Sequence, residues 1–196
     1  MVNGEQVLLL ERDRGPVGLC SDEITERNRA WNALYDEHMD AVYRLVRCLG
    51  VPDADAEDIV QRVFLVAHRK ARQLEQVQNM RAWLRTVAVR AVSDYRRWRR
   101  VRRLNAALLQ ATCLATTPPV QMPEQSALSD EVRRLVNGVL NAMSPKLRDV
   151  LVLIDLEGCA PGEVAGLLGV PVNTVRSRRR LAREAFCALW EGEDDA

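Results

Sequence analysis

The stretch EVAGLLGVPVNTVRSRRRLARE, residues 163–184, decides how the rest of the chain is interpreted. A short helix with one apolar side is interrupted at Gly169, and a second helix follows Pro171. Glycine accepts the positive-φ corner of a tight turn, and proline suits the start of a helix but not its middle. The order of helix, tight turn and helix predicts a helix-turn-helix.

The second helix of this unit carries a high density of positive charge. Five arginines lie within eight residues: Arg176, Arg178, Arg179, Arg180 and Arg183. Such a helix fits a DNA major groove, where guanidinium groups pair with guanine edges and phosphates. A solvated basic helix packed on its neighbour is the alternative. Turn chemistry and arginine density together favour DNA contact.

Length and composition exclude several classes of protein. The 196 residues allow one or two small domains. No apolar run approaches the roughly 20 residues of a membrane span, and the N-terminus lacks a signal peptide's basic-then-apolar order. We therefore expect a cytoplasmic protein without membrane insertion. The five cysteines show no CxxC spacing and no nearby histidine, so we expect no metal site, no disulfide framework and no cofactor.

The net charge of +1 hides a segregation of charges along the chain. Between Arg85 and Arg103 there are eight arginines against one acid, Asp94. Acids gather instead at residues 36–40, 53–58 and 191–195. The two basic clusters, in the middle of the chain and in the helix-turn-helix, predict two nucleic-acid contacts joined by a linker.

Hydrophobic periodicity predicts helices and no strands. The helices are expected at about 24–49, 53–72, 79–104, 129–142 and 145–157, followed by the helix-turn-helix. Asp53 or Asp55 is expected to cap the second helix. The predicted fold is all-α, with two small helical domains joined by a flexible linker. The expected division is an arm at 1–22, a first domain at 23–104, a linker at 105–128, a second domain at 129–190 and an acidic tail at 191–196.

Three segments, taken in order, resemble one family. DAEDIVQRVFLVAHR (residues 55–69) resembles the D-x-E-D-L-V-Q-E-x-F pattern of sigma region two. MRAWLRTVAVRAVSDYRRWRR (80–100) resembles the stretch that follows it, and MSPKLRDVLVLIDLEG (143–158) with the helix-turn-helix resembles region four. The chain is thus similar to extracytoplasmic-function sigma factors, two-domain initiation factors that direct RNA polymerase core enzyme to promoters and assist melting.

The resemblance implies roles for three sets of residues. A polymerase face would bind the core enzyme: Asp58, Gln61, Arg62 and Leu65. A −10 set would hold the unpaired promoter strand: Trp83, Arg85, Arg90, Arg96, Arg97 and Arg100, with Trp83 beneath the loop at 72–79. A −35 set would contact the duplex: Thr174, Arg176, Ser177, Arg178 and Arg180. Promoter DNA and core enzyme are the implied partners, and an anti-sigma factor is a further one.

Four departures from the family pattern qualify these roles. Arg90 replaces the usual asparagine, and Arg62 replaces a glutamate and so reverses one charge at the polymerase face. Arg179 stands where an apolar residue normally packs, and Leu181 where a basic one faces DNA. Ala160-Pro161-Gly162 lacks the usual side-chain cap of the first helix-turn-helix helix.

Two other classes of protein compete with this interpretation. A one-component helix-turn-helix regulator would need a roomy apolar pocket for its ligand, whereas residues 53–104 offer an arginine-rich helix and a polar face. An enzyme would use the acids at 53–58, but capping explains those acids, and the only histidines are His38 and His68.

The predicted linker sets the reach of the two domains. Its 24 residues span at most ~80 Å, enough for each domain to sit on its own promoter element. Thr116-Thr117-Pro118-Pro119 favours extended backbone. In the free protein we expect the domains either to move independently or to pack together, hiding their basic faces in an off-state that polymerase releases.

Overall fold

The computed structural model describes residues 21–70, 77–109 and 127–194. Within these ranges the regular structure is helical, and no strand occurs. The helices are α1 (Ser21–Cys48), α2 (Asp53–Arg69), α3 (Met80–Leu109), α4 (Ala127–Ala142), α5 (Pro145–Leu151), α6 (Pro161–Leu168) and α7 (Val172–Asp194). The all-α prediction is confirmed.

The chain divides into two compact units, Met1–Glu37 and His38–Ala196, so α1 starts in one and ends in the other. The described part of the first unit is the helical stretch of residues 21–37. None of the described helices combines the length and apolar composition that crossing a bilayer requires.

The first half of the larger unit is built on α2 and α3, which pack against each other. The apolar side of α2 is buried, as its periodicity predicts: Ile59, Val60, Val63, Phe64 and Ala67. It meets the buried side of α3, which includes Leu84, Ala88, Val92 and Tyr95. The end of α1 adds Val42, Leu45 and Val46 to the core, and Gly50 turns the chain with a φ of 85°.

The prediction that Asp53 or Asp55 caps α2 is wrong. Pro52 occupies the capping position and no side chain caps the helix. Asp53 instead accepts from Nε of Arg47 at 2.7 Å, and Asp55 accepts a hydrogen bond from the Tyr95 hydroxyl. Burial, together with that bond, raises the pKa of Tyr95 to about 12. The two acids therefore tie α2 to α1 and α3.

The flanking helices extend into both ends of the predicted linker, 105–128. Helix α3 runs on through residues 105–109, because alanine and leucine favour the helix, and α4 already begins at Ala127. The predicted flexible stretch at 110–126 lies outside the described residues. At the C-terminus, α7 continues into the predicted acidic tail and ends at Asp194.

The second half of the larger unit contains the predicted helix-turn-helix. Helix α7 packs on α4, α5 and α6, and Gly169 adopts the expected left-handed turn with a φ of 64°. Pro161 lies in the first turn of α6. Although Ala160 cannot cap that helix, the Glu163 carboxylate accepts from the Ala160 N–H at 2.9 Å. Half of a capping box thus replaces the missing cap.

Candidate nucleic-acid interface

The arginines of α7 fall into two groups with different surroundings. Arg176, Ser177 and Arg180 of the −35 set are exposed, whereas Thr174 and Arg178 are half-buried. Arg180 donates to Glu184 one turn later at 2.7 Å, an exposed pair that a phosphate or base can displace. The −35 set therefore forms one continuous strip on α7, and its central residues Arg176, Ser177 and Arg180 are open to solvent.

Arg179 and Arg183, in contrast, are held by one carboxylate. Nη2 of Arg179 lies 2.7 Å from Oδ1 of Asp155, its Nε lies 3.2 Å from Oδ2, and Arg183 donates to the same Oδ1. These bonds, that of Arg179 first, lower the pKa of Asp155. Arg179 thus forms an ion pair at a position where the family has an apolar packing contact. This ion pair explains the departure from the family pattern.

Asp155 owes its position to a single π-helical turn, Val152–Leu156, which continues α5. The three residues before Asp155 are buried, so the turn anchors in the core while the carboxylate faces α7. Sequence reasoning missed this residue. One indirect indication of its role was present in the sequence: Arg179, 24 positions further along the chain, stands where the family has an apolar residue.

The polymerase face lies on the exposed side of α2. Asp58, Gln61, Arg62 and Leu65 are all exposed, opposite the buried side of the same helix. Leu65 is 56% exposed, although leucine normally buries its side chain. An exposed leucine among hydrogen-bonding groups has the composition of a protein interface.

The −10 set on α3 is divided. Arg90, Arg97 and Arg100 are exposed, while Trp83 is half-buried. Arg85 donates to the Glu157 carbonyl at 3.0 Å, and Arg96 forms a two-bond pair with Asp149 at 2.6 and 2.8 Å. Two members of the set are thus engaged by the second half of the unit. The expected packing of Trp83 beneath the loop at 72–79 stays a prediction, because residues 72–76 lie outside the described residues.

A cleft of about 820 Å³ separates α3 from α5, α6 and α7. Eight cationic side chains and a single carboxylate, that of Asp149, are among the described residues that line it. The cations are Arg90, Arg96, Arg97, Arg99, Arg100, Lys146, Arg148 and Arg178. Such a concentration of one charge attracts polyanions, of which nucleic acid is the most abundant.

Arg148 is the most buried of these cations, with 6% of its surface exposed. Its Nη1 donates to the Leu140 carbonyl at 3.3 Å and to Oδ1 of Asn141 at 3.1 Å, and its Nε has no partner among the described residues. Burial, followed by the nearby charge of Arg96, lowers the pKa of Arg148.

The described residues hold no group of three or more His, Cys, Asp or Glu side chains arranged for a metal ion. Cys48, Cys159 and Cys187 are free thiols. Burial raises the pKa of both Cys48 and Cys159, which keeps these thiols in their unreactive form.

Two sequence families match the two halves of the chain. Sigma-70 region 2 matches residues 34–103, and Sigma-70 region 4 matches residues 133–186. Among curated proteins, the RNA polymerase sigma factor CnrH of Cupriavidus metallidurans is 28% identical over 90% of this chain and 95% of its own length. The ECF RNA polymerase sigma-E factor of Escherichia coli K12 is 30% identical over 81% of this chain and 85% of its own.

Solved structures show the same architecture. The sigma factor RpoE from Bartonella quintana, in complex with the anti-sigma factor NepR, matches with a TM-score of 0.62 at 20% identity, over 83% of this chain and 98% of that one. CnrH, in complex with the cytosolic domain of CnrY, matches with a TM-score of 0.56 at 25% identity, over 84% and 90%. Both regions, found in this order, favour a sigma factor over a one-component regulator. The chain therefore belongs to the ECF sigma factors, transcription initiation factors that direct RNA polymerase to promoters and are not themselves enzymes.

Proposed function

We propose that three separate surfaces of this sigma factor divide the work of initiation. The polymerase face on α2 binds the core enzyme, the −10 set on α3 holds the unpaired strand, and the −35 set on α7 contacts the duplex. Single-strand binding needs cationic grooves, and duplex recognition needs a helix in the major groove, which α3 and α7 respectively supply.

The exposure of Leu65 is the observation that carries this proposal. It lies within reach of Gln61 and Arg62 on a helix whose opposite side is fully buried. An exposed leucine contributes favourable hydrophobic free energy only when a partner covers its side chain. Arg62, where the family has glutamate, adds a positive charge and requires a complementary acid or carbonyl on the polymerase.

The division of the α7 arginines supports the −35 assignment. Arg176, Ser177 and Arg180 occupy neighbouring positions on one exposed strip. The bonds from Arg179 and Arg183 to Asp155 fix the rotation of α7 against the π-helical turn, and so the direction in which that strip faces. Arg176 and Arg180 then reach base edges, while Thr174 and Arg178 contact phosphate.

We infer that the protein acts in the cytoplasm, where polymerase and promoter DNA are, and that an anti-sigma factor binds it. The similar sigma factors RpoE and CnrH were each solved with a partner of that kind or a cytosolic domain.

Replacing Asp58 and Gln61 together by alanine tests the polymerase face. Interface contacts of this kind contribute about 1–2 kcal/mol each, so we expect at least about tenfold weaker binding to purified core enzyme. Affinity is measured by pull-down and titration, with helicity followed by circular dichroism. Glu184→Ala, which removes an exposed acid from α7, is the matched control and should bind normally. An unchanged affinity of the double variant would refute the assignment.

A further inference from the structure

Leu181 is an exposed leucine on the strip that the −35 set forms along α7. It follows Ser177 by four residues and Arg178 by three, so it lies about one turn further along the helix and between these two positions around the axis. Of its surface, 44% is exposed, whereas Val175 and Ala182, on the side of α7 opposite the strip, are fully buried. The fold therefore keeps Leu181 out of the core.

The neighbours of Leu181 on this strip are charged. The Arg180 side chain is 70% exposed and that of Glu184 is 57% exposed, and the two pair with each other at 2.7 Å. A leucine beside such groups contributes favourable free energy only when an apolar group of a partner covers it. Since the family has a basic residue that faces DNA at this position, leucine changes what this point of the helix can recognise.

The major groove of DNA offers a leucine one kind of apolar group. All four bases present hydrogen-bonding groups there, and thymine alone adds a methyl group at C5. Because a leucine side chain neither donates nor accepts hydrogen bonds, the thymine methyl is the group that it can distinguish. An arginine at the same position would instead favour guanine, whose O6 and N7 accept two bonds from one guanidinium.

We propose that Leu181 is a specificity-determining residue of the −35 contact, and that it packs against the C5 methyl group of one thymine. This inference rests on the proposed function of the −35 set. Ser177 and Arg178 flank Leu181 on one strip, so a helix that brings them to the duplex brings the leucine with them. Leucine in place of a basic residue thereby exchanges a polar DNA contact for an apolar one at a single −35 position.

Deoxyuridine tests this contact at the level of one methyl group, because uracil pairs as thymine does and lacks only the C5 methyl. Holoenzyme assembled from core enzyme and the full-length chain first selects its preferred −35 sequence from a randomised promoter library. Each thymine of that sequence is then replaced singly by deoxyuridine. At one position we expect wild-type holoenzyme to bind about fourfold more weakly, which is the effect of one buried methyl group.

Two variants of Leu181 give opposite results at that position. Leu181→Ala removes the apolar contact and should bind the thymine and uracil duplexes equally well. Leu181→Arg restores a basic residue and should select guanine there, with the rest of the −35 sequence unchanged. Leu135, which is also 44% exposed but lies on α4, supplies the matched control. Leu135→Ala should lose as much affinity as wild type when uracil replaces that thymine.

Two outcomes overturn the inference. In the first, no thymine of the selected sequence shows a methyl dependence that Leu181→Ala abolishes. In the second, Leu181→Ala, folded by circular dichroism, weakens binding to all promoter sequences alike, which places the leucine against polymerase and not against a base.

Arg176→Ala separates a failure of this inference from a failure of the proposed function. If that variant relaxes the preference at one −35 position while no methyl dependence is found, the −35 role of α7 stands and the role of Leu181 is wrong. If neither Arg176→Ala nor Leu181→Ala changes the selected −35 sequence, the assignment of the −35 set is itself wrong.

Discussion

Asp155 sets two arginines of α7 apart from those of the proposed −35 set. It binds Arg179 and Arg183, whereas the neighbouring Arg176 and Arg180 are exposed and belong to the proposed −35 set. A single carboxylate thereby divides five similar side chains into two groups with different surroundings.

We expect Asp155→Asn to lower the free energy of unfolding by about 1–2 kcal/mol at pH 7, because hydrogen bonds to charged groups are lost while both arginines are partly solvated. The folded-state pKa of Asp155 lies below its ordinary value of 3.8. A lowered pKa stabilises the fold above the unfolded value, and that contribution disappears as the pH falls through the folded one. In urea titrations the difference from wild type should therefore persist from pH 7 to pH 5 and shrink only below about pH 4.

Arg176→Ala is the matched control for that prediction. It removes an exposed cation of the same helix and should leave stability unchanged while weakening −35 binding by holoenzyme. Equal stability of Asp155→Asn and wild type at pH 7 would show that the two ion pairs contribute nothing to the fold.

Single residues also show where sequence reasoning reaches its limit. The positions of Gly169 and Pro171 were predictable, because turn chemistry depends on neighbours along the chain. The partners of Arg96 and Arg179 lie 53 and 24 positions away and were not predictable. The sequence shows where an arginine is, but only the folded structure shows whether its guanidinium binds a carboxylate of the protein or remains available for a phosphate.

At the level of elements, Gly166 and Gly169 of the helix-turn-helix differ in the backbone conformation that they require. Gly169 has a φ of 64°, whereas Gly166 lies within α6, and neither would bring a Cβ within 4 Å of a neighbour. Steric clash therefore contributes nothing at either position, and backbone conformation alone decides the effect of a substitution.

We expect Gly169→Ala to destabilise the protein by about 1–2 kcal/mol, since alanine disfavours the left-handed conformation. Gly166→Ala should be neutral or stabilise by up to about 1 kcal/mol, because alanine is the better helix former. Thermal unfolding followed by circular dichroism measures both. A loss of similar size at the two positions would contradict the backbone explanation.

The limits of the helices were predicted less well than their existence. All predicted helices occur, because each buries an apolar side that its periodicity reveals. The start of α2 was misassigned, since Asp53 and Asp55 bond to neighbouring helices and not to their own first turn. The ends of α3 and α4 extend into the predicted linker, where helix-forming residues outweigh the lack of an apolar pattern.

For the whole molecule, the sequence left two possibilities for the free chain, independent domains or packed ones. The described residues show contacts of the packed form: Arg96 pairs with Asp149, and the Arg148 guanidinium lies against Gly50. These contacts join segments that lie about 50 or more residues apart and involve few side chains. No local pattern marks such a small interface.

Limited proteolysis tests how the two halves are joined. We expect cleavage within residues 115–125, where Thr116-Thr117-Pro118-Pro119 favours extended backbone, to leave two stable helical fragments. At low salt the fragments should elute together in gel filtration because the Arg96–Asp149 ion pair holds them, and Asp149→Asn should separate them. A single protease-resistant core that includes this stretch would show that the division into two domains is wrong.

The exposure of the α2 face has a consequence for the chromosome as a whole. A free arginine-rich protein would otherwise settle on any unpaired DNA, such as the strands at replication forks and repair gaps. If polymerase binds Leu65 and its neighbours as proposed, it meets an exposed surface, whereas Arg85 and Arg96 already have partners in Glu157 and Asp149. The protein would then reach polymerase before it reaches melted DNA.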